Sequence, residues 1–141
     1  MSFKMETVLK IRKNKENEEV MKLSLLKSKR QELVDRIEEI QKKIKEISIA
    51  SISDKNFDFY NKRKYLEELY FEIKKIREEI ISIDKEIEKQ AKRAIEASVE
   101  RKKIEEFKNN VIRREKEKEL KNEAKLMDEF AILNSYRRSN D

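Results

Sequence analysis

The sequence predicts an all-α protein: two long helices in an antiparallel coiled-coil hairpin, with a C-terminal helical overhang. Three observations carry this. The 141 residues include no Gly and no Pro, while 47% are charged and 37% hydrophobic, so the tight turns of a multi-stranded sheet have no residues to form them. Ile and Leu recur at alternating spacings of three and four among Lys and Glu, which is the signature of a coiled-coil seam and argues against disorder. The two seams are also mirror images about one central break.

The chain reads as a single hairpin over residues 1–141. Helix one, about residues 3–50, is anchored by Leu23, Leu26, Leu33, Ile37, Ile40, Ile44 and Ile47. The tip, about 51–57, opens the stretch "SISDKNFDFYNK", where Ser51, Ser53, Asp54, Asn56 and Asp58 are residues that cap helices or turn chains. Helix two, about 58–136, carries Leu66, Leu69, Ile73, Ile76, Ile80, Ile83 and Ile87, continued more weakly by Ala94, Ala97, Ile104 and Val111.

Reflection about the point between Asn56 and Phe57 pairs Ile47 with Leu66, Ile44 with Leu69, Ile40 with Ile73 and Leu9 with Ile104. A chain folding back on itself requires that match, whereas a parallel homodimer, the alternative, does not. The match weakens around Arg12, Glu16, Glu19 and Arg101, where looser packing is expected.

Helix one runs out near Phe3, opposite about residue 110, so some thirty C-terminal residues have no intrachain partner. If helical, they reach roughly 45 Å. Continuing the seam past Val111 gives Glu115, Lys118, Asn122, Lys125 and Glu129, all polar. Leu120, Ala124, Met127, Phe130 and Ala131 fall on the other side. The apolar stripe changes face where the intrachain partner ends, which points to a partner from another molecule.

Charge and composition narrow the chemistry. The net charge is +6, divided as +4 over residues 1–50, −1 over 51–100 and +3 over 101–141. Acids interleave with the Lys throughout, so a solvated coiled-coil face is the reading and nucleic acid is not a partner. The absence of Cys removes disulfides and thiol nucleophiles, the absence of His removes the commonest acid–base group, and no Gly-rich phosphate loop or metal-ligand cluster is present. The expectation is therefore a non-enzymatic protein with no cofactor or metal. Pairs such as Glu67/Glu68 and Glu78/Glu79 read as helix-surface charges, because a two-helix hairpin has no water-excluding pocket. No stretch approaches the roughly 18 apolar residues of a membrane span, and the expected location is cytoplasmic.

A second candidate surface is aromatic. Phe57, Tyr60 and Phe71 face away from the seam if helix two has begun by Phe57, and Tyr65 and Tyr70 flank it. Exposed aromatics cluster at binding sites, whereas Phe59 is expected to wrap the turn.

The near-N-terminal "FKMETVLKIRKNKENEEV" and the closing "LMDEFA", on a chain of this length with one central break, resemble the FliJ family of flagellar type III export proteins. The resemblance spans the chain, with its sequence-specific parts at the two ends. It implies a monomeric stalk like that of rotary ATPases, inserted into the hexameric flagellar export ATPase and promoting its assembly. It also implies contact with the membrane export gate, handling of export chaperones, and peripheral association with the inner membrane at the flagellar base. By the same resemblance Met127, Asp128, Glu129, Phe130 and Ala131 belong to the ATPase-facing end. The gate-facing surface is assigned to the tip aromatics on exposure alone. Two alternatives stand beside this reading: a generic homodimeric structural coiled coil, and the equivalent stalk of a virulence-type secretion system.

Overall fold

The computed structural model describes Ser2–Ser53 and Phe59–Ser139, and the side chains of residues 4–50 and 59–139 within them. All of these residues are helical. Helix α1 spans Ser2–Ser53 and helix α2 spans Phe59–Ser139. Lys, Glu, Arg and Leu fill both with residues of good helix propensity, and neither Gly nor Pro interrupts the hydrogen-bond ladder. The end of α2 is completed by its own residues. Arg137 and Arg138 lie in the last turn, where cations offset the negative pole of the helix. Ser139 Oγ donates to the Tyr136 carbonyl at 2.9 Å, satisfying one of the carbonyls a helix end leaves free.

The chain divides into two units, Asn14–Ser98 and Met1–Lys13 with Val99–Asp141. In the first, α1 and α2 pack against each other along the two seams. The core is Ile40, Leu69, Ile73 and Ile76, surrounded by Leu33, Ile37, Ile44, Ile47 and Ile80. Farther along, Ile83, Ala94 and Ala97 are buried, and Leu23, Leu26, Leu66 and Ile87 half-buried. Burying an Ile or Leu side chain contributes about 1.5–3 kcal/mol, so this stripe dominates the energetics of the unit. Ion pairs mark which residues face each other. Arg36 Nη2 lies 2.8 Å from Glu72 Oε1, and Arg30 Nε lies 2.6 Å from Asp84 Oδ1. Both are exposed and add little stability, but rising numbers in α1 meet falling numbers in α2.

Packing at Glu19 is closed, contrary to the looseness its charge predicts. Glu19 is only 4% exposed, as deeply covered as Ile40, and Gln90 beside it is also buried. Gln90 Nε2 donates to the Glu19 backbone carbonyl at 2.9 Å and to Glu19 Oε2. Lys15 Nζ lies 3.0 Å and Lys22 Nζ 3.7 Å from Oε1. The carboxylate enters the seam because each oxygen finds a donor there. The Gln90 amide first, and then the Lys15 ammonium, hold its pKa below the ordinary glutamate value against the opposing effect of burial, with Lys22 adding its charge.

In the second unit, Leu9 is buried and Met5, Ile104 and Val111 are half-buried. Arg101 Nη1 donates to Glu105 Oε2 at 2.7 Å, and Lys13 Nζ lies 3.8 Å from Glu105 Oε1. Past Val111 burial stops: every residue from Ile112 to Ser139 is exposed, although the helix continues unbroken.

Candidate functional site

Burial and helical phase build the C-terminal surface. Over Ile112–Ser139 α2 extends about 42 Å at 1.5 Å per residue with no side chain covered. Leu120, Ala124, Met127, Asp128, Glu129, Phe130 and Ala131 all lie on this stretch and all are exposed, Met127 at 76% and Phe130 at 67%. Leu126, Met127, Phe130, Ala131 and Asn134 line a shallow, mostly apolar groove along it.

Four further residues complete this surface. Leu126, Ile132, Leu133 and Tyr136 are exposed large hydrophobics that lie off the stripe read from the sequence. At 100° per residue, the apolar side chains between Leu120 and Tyr136 encircle the helix, leaving no bare sector wider than about 80°. Upstream, the buried and half-buried side chains of α2 keep to one heptad stripe. The signal was present in "LMDEFAILNSY", where apolar residues follow each other too closely for one face. Following a single a/d stripe misses it. Apolar contacts are therefore offered on every side of this stretch, interleaved with Lys121, Lys125, Asp128 and Glu129.

The second candidate surface occupies the start of α2, in the other unit. Tyr60, Tyr65, Tyr70 and Phe71 are all exposed, Tyr60 at 76% and Phe71 at 60%. Phe57 lies outside the described residues. Phe59, expected to wrap the turn, is exposed, with Lys62 Nζ 6.0 Å from its ring centroid. Lys75 Nζ stands 5.2 Å from the Phe71 centroid, within range of a cation–π contact. Tyr70 also borders a shallow groove with Gln41, Ile44, Ile73, Lys74 and Arg77. The structure therefore places the two predicted site sets in different units.

The paired carboxylates make no enclosed site. Glu67, Glu68, Glu78 and Glu79 are exposed, and Glu67 Oε1 lies 3.6 Å from Arg63 Nε on its own helix. Among the described residues there is no cluster of three or more potential metal ligands, and no helix is long and apolar enough to cross a membrane.

No match was found among curated proteins or among solved structures. The family model for the flagellar FliJ protein, however, matches residues 1–140, from the buried seams through the exposed end of α2. The chain belongs to the FliJ family.

Proposed function

We propose that this member of the FliJ family, and so of the flagellar export apparatus, works there as a non-enzymatic stalk. In this reading α1 and α2 form an antiparallel coiled-coil hairpin that is monomeric on its own. The C-terminal end of α2 enters the hexameric export ATPase and promotes its assembly. The aromatic start of α2 contacts the membrane export gate, and the protein escorts export chaperones. It works at the cytoplasmic base of the flagellum, peripherally associated with the inner membrane, in the service of motility and chemotaxis.

One observation carries the ATPase assignment. From Ile112 to Ser139 a continuous helix leaves every side chain exposed, and within it apolar side chains point to all sides of the axis. A partner that touches one side would leave the rest of that surface in water. A socket formed by several subunits covers all of it, and the central opening of a ring is such a socket. The antiparallel pairing rests on the descending order of α2 partners met by Glu19, Arg30 and Arg36.

The test is assembly. Purified chain mixed with the export ATPase from the same organism should raise the hexamer fraction, read by single-particle mass measurement, and raise ATP turnover. A chain truncated after Val111 should do neither while keeping the melting temperature of the full chain. Equal stimulation by the truncated chain would sink the assignment.

A further inference from the structure

The seam of the Asn14–Ser98 unit is chemically uneven. Between Leu33 and Ile47 of α1, and between Leu66 and Ile87 of α2, every seam position is Ile or Leu. Sliding one helix past the other by a heptad in one direction would again set Ile or Leu opposite Ile or Leu. Ile44 would exchange Leu69 for Ile76, and Ile40 would exchange Ile73 for Ile80, with little change in buried apolar area. The opposite slide keeps Leu33, Ile37 and Ile40 on Ile73, Leu69 and Leu66 but brings Ile44 against Lys62. That half of the seam holds the helices together without choosing between the native register and the slide toward Ile76.

The layer at Glu19 and Gln90 does choose. Both side chains are buried, and one amide donates to the backbone carbonyl and the carboxylate of the same residue. A heptad slide in one direction puts Ile83 where Gln90 stands, against a carboxylate. In the other direction Gln90 comes to lie against Leu26. Either slide leaves a buried polar group facing an aliphatic one, which is the costly outcome. In a parallel dimer Glu19 would face its own copy, setting two carboxylates together in a seam.

We infer that the Glu19–Gln90 clasp is a register lock, selecting one alignment and partner for a seam whose aliphatic half would accept more than one. The inference rests on the antiparallel pairing proposed above. With the lock closed, displacement of either end would be transmitted along a seam of defined alignment. With it open, the register slipped toward Ile76 becomes accessible and the two ends would lose their common phase.

Engineered cysteines test this cleanly, because the chain has no Cys of its own. Three pairs are compared in a thiol–disulfide redox buffer, so that products report populations. Ile44→Cys/Leu69→Cys reads the native register, while Ile44→Cys/Ile76→Cys and Ile44→Cys/Lys62→Cys read the two slides. With the clasp intact, only the first should close within one chain. In the Glu19→Leu/Gln90→Leu background a slipped intrachain product, or an interchain one, should rise about tenfold or more, the worth of a charge-assisted hydrogen bond in an equilibrium constant. That variant should remain helical and melt higher, as buried ion layers replaced by aliphatics often do. Glu19→Gln keeps a hydrogen-bonding partner for Gln90 and should retain the single register.

If the double-Leu variant closes only the native pair, the lock is wrong. Loss of helicity in that variant overturns it too, since the layer would then be indispensable core. Failure of the native pair to close in the otherwise unaltered chain instead refutes the antiparallel reading beneath it.

Discussion

Replacing Met127 and Phe130 together with Asp should separate binding from folding. Both side chains are largely exposed in the free chain, so most of their apolar area remains available to a partner. Each contributes about 1.5–3 kcal/mol when buried, and the pair about 3–6 kcal/mol. Ordering costs at the interface remove part of this. Two carboxylates entering an apolar contact add a desolvation cost. The net expectation is a loss of about a hundredfold or more in affinity for the ATPase. Stability should barely move, because no intrachain layer is lost and surface changes usually stay within about 0.5 kcal/mol. Asp does add negative charge beside Asp128 and Glu129 and lowers helix propensity. A Met127→Ala/Phe130→Ala variant therefore runs alongside, removing area while favouring the helix. Circular dichroism, ATPase stimulation and swimming should be read in each variant. Full stimulation by a folded Asp variant would refute the reasoning and move the contact elsewhere, with exposed Val8 and Ile11 of α1 the next candidates.

The other expectations are simpler. Tyr60→Ala/Phe71→Ala should leave thermal unfolding within about 0.5 kcal/mol of the parent but weaken export-gate binding in a pull-down; a large drop in melting temperature would make these residues core. Ile73→Ala, by contrast, should cost about 2–4 kcal/mol in denaturant unfolding, because it empties the centre of the core cluster. Acid should weaken the clasp. Glu19 titrates below its ordinary value of about 4.3 in the folded chain, so its contribution is fully present above that value and is lost as pH falls through the lowered one. Melting followed from pH 6 to about 3 should therefore fall less steeply for Glu19→Gln than for the parent.

Much of the fold was legible because heptads encode burial directly. Each aliphatic seam residue read from the sequence, from Leu23 through Val111, is buried or half-buried. Cross-helix partners follow the reflected order, with Asp84 one residue from the mate of Arg30, Gln90 four from that of Glu19 and Glu72 five from that of Arg36. The Glu19 layer was misread for a physical reason. A charge in a seam looks like a fault until its donors are known, and Gln90 lies 71 residues away. At the C-terminus the seven residues that the sequence singles out are exposed, but the stripe passes over Leu126, Ile132, Leu133 and Tyr136, which are exposed beside them. A stripe is a two-helix idea, and a surface that encircles its helix has no stripe to follow.

The exposed end of α2 has a thermodynamic consequence of its own. Without covered side chains, the stretch after Val111 must hold its helix on intrinsic propensity and charge pairs, without the tertiary packing that supplies most helical stability in proteins. Its composition meets that demand, since Arg113–Ala131 contains no β-branched residue and Glu117 precedes Lys121 by one turn. Its amides should accordingly exchange hydrogen through local fraying from Ser139 inward, at rates blind to substitutions in the Ile40–Ile73 core. A partner that encloses this end would convert a flickering helix–coil equilibrium into slow exchange. Protection rising after Val111 alone would then mark the bound segment residue by residue.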